Sequence, residues 1–243
     1  MARDDLYDPA FIRGLFDEMA ATYGPVNLLS SFGFCIRWRR QCLRLIDLRP
    51  GSTVLDLMCG MGELESDVAD RIGGHGSLLA LDLSPVMCER AGRHPAKGVV
   101  ERFEVIEADA LRCPLADASV DHVVSTFGLK TFNGDQLRTL ADQTYRVLKP
   151  GGSFAMLEIS VPPTALLRAP YLFYLHRVIP IIGRLALGNP DNYRMLGVYT
   201  TAFGNCDEAA VRFAEAGLDV QTHSHFFGCA TSTSGRRPQA TAT

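Results

Sequence analysis

The sequence lacks the features that mark several classes of protein. No two of its seven cysteines stand at the CxxC spacing of a zinc site or a redox dithiol, so we expect no metal. No apolar run is long enough to cross a bilayer, because the most apolar stretch, residues 165–187, contains three arginines, a histidine and two prolines. The net charge of −3 comes without a basic stripe, which argues against a nucleic-acid partner. The short run Arg37–Arg40 is typical of a solvated helix face.

The sequence also gives no sign of a leader segment or of disulfide bonds. The opening Met-Ala-Arg-Asp-Asp is too acidic for the basic start of a signal peptide. An odd number of scattered thiols suits a reducing compartment, and we therefore predict a cytoplasmic protein. The sequence leaves open whether the chain contacts a membrane surface peripherally and whether it forms oligomers.

Strands and helices alternate through the middle of the chain. Ser84 and Pro85 form a cap and a first-turn proline for one of the helices. The alternation predicts βαβ units and an α/β, doubly wound sheet that is mostly parallel. Apolar runs that predict the strands lie at residues 53–57, 77–83, 103–106, 120–126 and 153–159.

Two aromatic, helical segments, residues 1–45 and 160–206, fall outside this alternation and predict a helical lid. Residues 231–243 are rich in Ser, Thr and Arg and predict a flexible tail. The predicted divisions are an N-terminal helical lid (1–45), a cofactor-binding core (46–159), a lid insertion (160–206), a C-terminal helix and strands of the core (207–230), and the tail (231–243).

The most informative motif is a glycine turn between the first strand and its helix. Asp56 ends the strand, and Gly60 and Gly62 follow in a Gly-x-Gly turn, at the edge of the sheet where ligands bind. A dinucleotide-binding turn would carry a third glycine where this chain has Glu65, and Glu63 adds a second carboxylate. Carboxylates repel a pyrophosphate and attract a sulfonium or an ammonium group. The turn therefore favours S-adenosylmethionine over NAD.

Acidic residues follow at the ends of the next two strands. Asp82 lies twenty positions after Gly62, where a carboxylate typically binds ribose hydroxyls. Asp109 ends the third strand, where it is placed to accept from an adenine amino group. The residues predicted to bind the cofactor are Asp56, Gly60, Gly62, Asp82, Leu83, Met87, Asp109, Ala110, Thr126 and Phe127.

These motifs together resemble the ubiquinone/menaquinone-biosynthesis C-methyltransferases, a family of class I S-adenosylmethionine-dependent methyltransferases. The similarity covers residues 11–228 and includes Phe16-Asp-x-x-Ala-x-x-Tyr23, Val-Leu-Asp-Leu-x-Cys-Gly-x-Gly, Leu-Asp-Leu-Ser and Arg146-Val-Leu-Lys-Pro-Gly-Gly. The resemblance implies a Rossmann-like sheet with an antiparallel last strand and a methyl acceptor held under the lid.

The chain departs from the family pattern at two places. After the fourth strand the family has Phe-Gly-x-Arg-Asn beside the acceptor, whereas this chain has Lys130 and Thr131, and lysine lacks the planar donor fork of arginine. Where the family has an apolar final strand, residues 229–235 are mostly Ser, Thr and Cys. Both departures bear on the identity of the acceptor rather than on the fold or the cofactor.

Methyl transfer to a ring carbon or a phenol oxygen is helped by a base that removes a phenolic proton. The predicted catalytic residues are His176 in the lid, followed by Tyr23, Tyr193 and Lys130, with His225 as a further candidate. His75, His94 and His122 are interpreted as structural.

We therefore predict an S-adenosylmethionine-dependent methyltransferase whose acceptor is small, mostly apolar and aromatic or quinol-like, with C-methylation favoured and a role in specialised metabolism considered. The alternatives are O- or N-methylation of a natural product or an amine-headed lipid, and a protein that binds the cofactor without transferring a methyl group.

Overall fold

The computed structural model describes residues 5–93, 99–185 and 189–239. Within them a seven-stranded sheet has the order β3-β2-β1-β4-β5-β7-β6. Only the pairs that involve β7 are antiparallel, so the predicted sheet with an antiparallel last strand is confirmed. The strands are β1 (Thr53–Leu57), β2 (Ser77–Asp82), β3 (Arg102–Glu107), β4 (Val120–Thr126), β5 (Leu148–Ile159), β6 (Asp219–His225) and β7 (Ala230–Arg236).

Helices cover both faces of the sheet and its carboxyl edge. Ser84 caps its helix as the sequence predicts, because its hydroxyl accepts from the backbone N–H of Met87 at 3.0 Å. The helices are α1 (Pro9–Met19), α2 (Tyr23–Ser30), α3 (Phe34–Leu43), α4 (Glu65–Ile72), α5 (Pro85–Ala91), α6 (Gly134–Val147), α7 (Ala165–Phe173), α8 (Ile179–Leu185), α9 (Pro190–Phe203) and α10 (Asp207–Glu215). A π-helical turn, Tyr174–Val178, joins α7 to α8.

Alternating residues of the strands pack against different helices. One face of the sheet buries Leu55, Leu57 and Phe154 against α6 and α10. The other face buries Val54 and Leu78 against α3 and α4. Because both faces are covered, the central parallel strands are mostly apolar, which made them visible in the sequence.

The N-terminal helices and the helices α7–α9 pack into one further cluster. Leu15, Val26 and Ile179 are buried there together. Hydrogen bonds cross the cluster as well, since the Tyr199 hydroxyl donates to the Leu6 carbonyl at 2.6 Å and the Tyr174 hydroxyl donates to the Ser30 carbonyl at 2.7 Å. The two aromatic segments outside the alternating core therefore form a shared helical layer.

The prediction of a flexible tail from residue 231 was wrong for residues 231–236. They belong to β7, which lies between β5 and β6 and buries its polar side chains. Two hydrogen bonds make this burial tolerable: Ser232 Oγ lies 2.8 Å from His225 Nε2, and Ser234 Oγ lies 2.9 Å from His223 Nε2. Residues 240–243 of the predicted tail lie outside the described residues, as does His94.

None of the described helices combines the length and the hydropathy that a transmembrane span requires.

We predict that Gly235→Ala destabilises the protein strongly. A Cβ at Gly235 would overlap the backbone carbonyl of Asp219 on β6, which cannot rotate away. The free energy of unfolding should fall by about 3 kcal/mol, at the upper end of the usual cost of overpacking. Chemical denaturation measures this change. Gly14→Ala on α1 is the matched control, because a Cβ there has no atom within 4 Å, and it should be neutral or slightly stabilising. Equal stability of the two variants would contradict the prediction.

Candidate active site

A pocket lies at the carboxyl edge of the sheet and is covered by α1. Its floor comes from the segments that follow β1, β2, β3 and β4, as expected for a ligand site in an open parallel sheet. Pro9, Ile12, Arg13 and Phe16 of α1 form its roof. The N-terminal helices were predicted to form a lid over the acceptor, and one of them, α1, lies over this first pocket.

Asp82 connects the loop after β1 with the loop after β2 at the centre of this pocket. One oxygen of its carboxylate accepts from the N–H of Gly60 at 2.9 Å, and the other accepts from the N–H of Ser84 at 2.9 Å. Burial raises the pKa of Asp82, although these backbone hydrogen bonds oppose the shift. Each oxygen keeps a further lone pair for a ligand donor. Asp82 therefore orders the site and also lines it.

Carboxylates gather beneath the glycine turn. Asp56 is 1 % exposed, and neither of its oxygens has a hydrogen-bond partner among the described residues. Burial raises the pKa of Asp56 well above its usual value, and Glu65, Glu63 and Asp82 add to the shift. Burial and Glu63 also raise the pKa of Glu65 to about 8. The site therefore favours a ligand that brings positive charge, because such a ligand would stabilise the ionised carboxylates.

Arg39 on α3 contacts two loops of the site, the glycine turn after β1 and the loop after β4. Its guanidinium lies 3.2 Å from Glu63 Oε1 and stacks over the ring of Phe127 at 5.1 Å. Arg39 is buried. The prediction that Arg37–Arg40 form a solvated helix face was therefore wrong for this residue, because its side chain turns inward to the site.

Two residues of the pocket wall have backbone conformations that side chains rarely adopt. Met58 after β1 has φ +57° and Phe127 after β4 has φ +67°. Gly128 makes room for Met58, since a Cβ at Gly128 would lie 2.6 Å from the Met58 sulfur. Non-glycine residues in the left-handed region cost energy and concentrate at functional sites.

A second pocket, with a cavity of about 280 Å³, adjoins the first. Tyr23 and Phe127 line both pockets, so the two cavities meet at these side chains. The wall of the second pocket is almost entirely apolar and aromatic. Its residues come from the N-terminal helices, from α7–α9 and from the ends of β4 and β5, and include Trp38, Leu167, Tyr171, Tyr174 and Leu196.

A buried ion pair lies at this apolar wall, and its cation, Lys130, is the partner that lines the pocket. Lys130 Nζ lies 3.0 Å from Glu158 Oε1 and also donates to the carbonyl of Phe127. Glu158, fully buried at the end of β5, accepts further from the backbone N–H groups of Lys130 and Ile159. These bonds use two of the three donors of the ammonium group, which leaves one for a bound molecule.

Tyr23 is the polar side chain at the junction of the two pockets. Burial raises the pKa of its hydroxyl well above the usual value, with Glu63 adding to the shift and Arg39 opposing it. The hydroxyl therefore stays protonated at neutral pH and acts as a donor.

The structure brings most of the predicted cofactor residues together. Asp56 and Gly62 are the exceptions, since Asp56 lies beneath the turn and Gly62 (φ +88°) shapes it, with Glu65 lying where a Cβ would be. The residues that line the first pocket are Gly60, Asp82, Leu83, Met87, Asp109, Ala110, Thr126 and Phe127. Asp109 also caps a short turn, because its Oδ1 accepts from the N–H of Leu111 at 2.9 Å.

The predicted catalytic residues divide into two groups. Tyr23, Lys130 and Tyr193 line the second pocket, and the Tyr193 hydroxyl is hydrogen bonded to Thr22 Oγ1 at 2.7 Å. His176 lines neither pocket. Its ring packs against Gly197 on α9, with Nε2 3.0 Å from Thr201 Oγ1, so the structure gives no support to the prediction of a base at this position.

The other histidines within the described residues also lie away from the site. His225 is bonded to Ser232 in the sheet and lines neither pocket. His122 Nδ1 lies 2.8 Å from Ser153 Oγ across β4 and β5, in the structural role predicted for it. His75 is exposed at a turn.

Sequence reasoning did not identify Arg39 or Glu158 as site residues. Glu158 stands alone at the end of an apolar strand, and such an isolated charge in a buried strand is a signal that requires a partner. Arg39 gave no comparable signal. It stands in a run of arginines whose other members are exposed, and nothing in the run distinguishes the buried one.

The model of the ubiE/COQ5 methyltransferase family matches residues 4–237. The chain belongs to this family. It is 36% identical over 225 residues to a demethylmenaquinone methyltransferase of Thermus thermophilus, covering 92% of this chain and 100% of the relative. It is 29% identical over 231 residues to a protein of the same name from Bacillus cereus, covering 94% and 96%.

Solved structures of low sequence identity share the fold. A SAM dependent methyltransferase from Aquifex aeolicus has a TM-score of 0.57 at 20% identity, covering 82% of this chain and 89% of that one. Phosphoethanolamine N-methyltransferase 2 of Haemonchus contortus, solved with S-adenosyl-L-methionine, has a TM-score of 0.58 at 15% identity, covering 82% and 53%.

Membership of the family confirms the predicted enzyme class and cofactor: the chain is an S-adenosylmethionine-dependent methyltransferase. The site residues fit this cofactor. The buried carboxylate of Asp56, which has no hydrogen-bond partner among the described residues, suits the sulfonium and ammonium groups of the cofactor, and Asp82 offers acceptors to hydroxyl groups.

We predict that Asp82→Ala weakens cofactor binding. The change removes acceptors from the pocket wall and frees the N–H groups of Gly60 and Ser84. The Kd for S-adenosylmethionine should rise by about 5- to 150-fold, which corresponds to about 1–3 kcal/mol. Calorimetric titration measures it. Asp142→Ala, the same change at an exposed position of α6, should bind as the wild type does. Unchanged binding in Asp82→Ala, or wild-type binding of NAD as tight as that of S-adenosylmethionine, would show the assignment to be wrong.

Proposed function

We propose that the enzyme methylates a ring carbon of an aromatic, quinol-like acceptor that binds in the second pocket. The observation that carries the proposal is the apolar pocket that meets the cofactor pocket at Tyr23 and Phe127 and contains one buried cation, Lys130. The relatives named demethylmenaquinone methyltransferases support an acceptor of this class.

The two pockets have complementary tasks. When bound, the cofactor supplies an electrophilic methyl group on its sulfonium. Gly60, Asp82 and Asp109 would hold the cofactor in the first pocket, and α1 would cover it. Aromatic and aliphatic side chains of the second pocket would exclude water and hold the acceptor ring beside the junction.

Lys130 and Tyr23 would act on the oxygen atoms of the acceptor. A quinol becomes a better carbon nucleophile when it loses a phenolic proton, and the phenolate then needs a charge partner. The free donor of Lys130 provides that partner inside an apolar wall, where an electrostatic contact is stronger than in water. Tyr23, with its hydroxyl protonated, would donate to a second acceptor oxygen. The helices around the pocket would serve as its lid.

The pocket chemistry distinguishes this proposal from its alternatives. An amine-headed lipid would place a cation beside Lys130, which is unfavourable at a site of this polarity. A small phenol that is methylated on oxygen fits the same pocket, so the position of the new methyl group has to be measured.

A methyl-transfer assay with labelled S-adenosylmethionine on a panel of quinols, simple phenols and amines tests the proposal. We expect the quinols to give the highest kcat/KM and a product whose methyl group is bonded to carbon, as shown by its NMR shift. Preferential methylation of an amine or a phenol oxygen would contradict the proposed acceptor. Cofactor binding without turnover of any acceptor would contradict methyl transfer itself.

Variants of Lys130 test its part in the reaction. Lys130→Met leaves Glu158 as a buried, unpaired charge, so the informative variant is Lys130→Met with Glu158→Gln. This pair should lower kcat for a quinol by about ten- to a thousandfold, the range for a lost electrostatic contact, while cofactor affinity stays unchanged. Lys130→Arg should keep or raise the activity. The temperature of unfolding of each variant controls for folding. Full quinol activity in the double variant would remove Lys130 from the mechanism.

A further inference from the structure

Large apolar side chains are exposed around the mouth of the second pocket. We call Phe32, Leu166, Phe173, Phe226 and Phe227 the apolar rim. Phe32 is 78% exposed, Leu166 88%, Phe173 64% and Phe227 76%. Phe32 and Phe226 also line the second pocket, so the pocket opens to the surface where the rim lies.

Contacts show that the rim residues lie on one side of the molecule. The turn that carries Phe226 and Phe227 packs against the prolines before α7, since a Cβ at Gly228 would lie 2.6 Å from Pro163 Cδ. At the far end of α7, the ring of Phe32 lies 6.1 Å from that of Tyr174. The helix α7 therefore runs between the two ends of the rim. Leu166 and Phe173 stand two helical turns apart and share its outer face.

The backbone holds three of these rings in place at an energetic cost. Phe32 has φ +50°, Phe226 has φ +43° and Phe227 has φ +56°. A bulky residue in the left-handed region is an outlier, and two in succession are more so. The ring of Phe226 is partly compensated, because it packs against Phe34 at 4.5 Å. Phe32 and Phe227 remain mostly exposed and gain little burial from the chain itself, so a contact outside the chain would account for their positions.

The segments that carry most of the rim contain exposed charges of one sign. Residues 19–46 and 159–190 contain no aspartate or glutamate, in a chain whose net charge is −3. Arg37, Arg168, Arg177 and Arg184 are exposed in these segments. Exposed apolar side chains in segments that carry exposed cations and no anions are the pattern of a surface that binds anionic lipids.

We propose that the apolar rim docks the enzyme on an anionic lipid membrane, with the mouth of the second pocket facing the bilayer. A second copy of the chain is the less suitable occupant, because a two-fold interface at this face would bring arginines opposite arginines. The docking itself rests on exposure and charge alone. The consequence that an acceptor with an apolar tail enters the pocket from the bilayer rests on the proposed function.

Co-sedimentation with vesicles tests the docking. The full chain should bind vesicles that contain phosphatidylglycerol and leave vesicles of phosphatidylcholine alone in solution, and added salt should weaken the binding. The triple variant Leu166→Ser, Phe173→Ser, Phe227→Ser should bind about tenfold more weakly or worse. None of these three residues lines either pocket. Arg177→Gln with Arg184→Gln should weaken binding and reduce its dependence on salt.

The control also replaces an exposed apolar side chain by serine, but on a helix that does not belong to the apolar rim. Val211 on α10 is 54% exposed, and Val211→Ser should bind the vesicles as the wild type does. Wild-type binding by the triple variant, or no binding of the wild type to the anionic vesicles, would overturn the proposal. A dimer in light scattering that the triple variant abolishes would identify a second copy as the occupant and would equally overturn it.

A separate readout distinguishes the docking from the proposed function. The triple variant should methylate a quinol without an apolar tail, in solution, at the wild-type rate, which shows that its fold and site are intact. Vesicle binding that depends on the rim, together with no turnover of any quinol, would sustain the docking and refute the proposed acceptor.

Discussion

The buried guanidinium of Arg39 organises the carboxyl edge of this sheet. It extends from α3, pairs with Glu63 in the glycine turn, and stacks over Phe127 in the loop after β4. The glycine turn belongs to the cofactor pocket, whereas Phe127 belongs to both pockets. One side chain therefore links the glycine turn of the first pocket to a residue that lines both pockets. Arginine suits this task because it is planar, stays charged when buried and binds an aromatic face and a carboxylate together.

The glycine turn carries less net negative charge than its two glutamates indicate. Glu63 and Glu65 would repel a pyrophosphate if both were ionised and free, and this reasoning led from the sequence to S-adenosylmethionine. In the structure Arg39 compensates Glu63, and burial raises the pKa of Glu65 to about 8, so much of the expected charge is neutralised. The cofactor was predicted correctly. The preference for a cationic ligand, however, comes from buried carboxylates whose ionised forms a bound cation would stabilise.

The sequence was sufficient for the parallel half of the fold. Strands such as β1 and β4 read as short apolar runs, because both of their faces are covered, and their predicted bounds agree with the structure. It failed for β7, whose polar composition indicated a tail, although Ser232 and Ser234 are buried and hydrogen bonded to His225 and His223 on the neighbouring strand. Lys130 and Glu158 are 28 positions apart, and only the neighbouring ends of β4 and β5 bring them together. His176 was chosen as a histidine in the predicted lid, but the sequence does not show which way a helix turns its side chains, and the ring packs against α9 away from both pockets.

The direction of β7 decides where the polypeptide leaves the sheet. Because this strand is antiparallel, its last residue, Arg236, pairs with Asp219, the first residue of β6, at the edge of the sheet opposite the two pockets. The other end of the chain behaves differently, since α1 covers the cofactor pocket. An attachment after Arg237, such as an affinity handle, a fluorophore or a solid support, would thus leave both pockets and the surface around them accessible. The same attachment before α1 would lie beside the cofactor pocket.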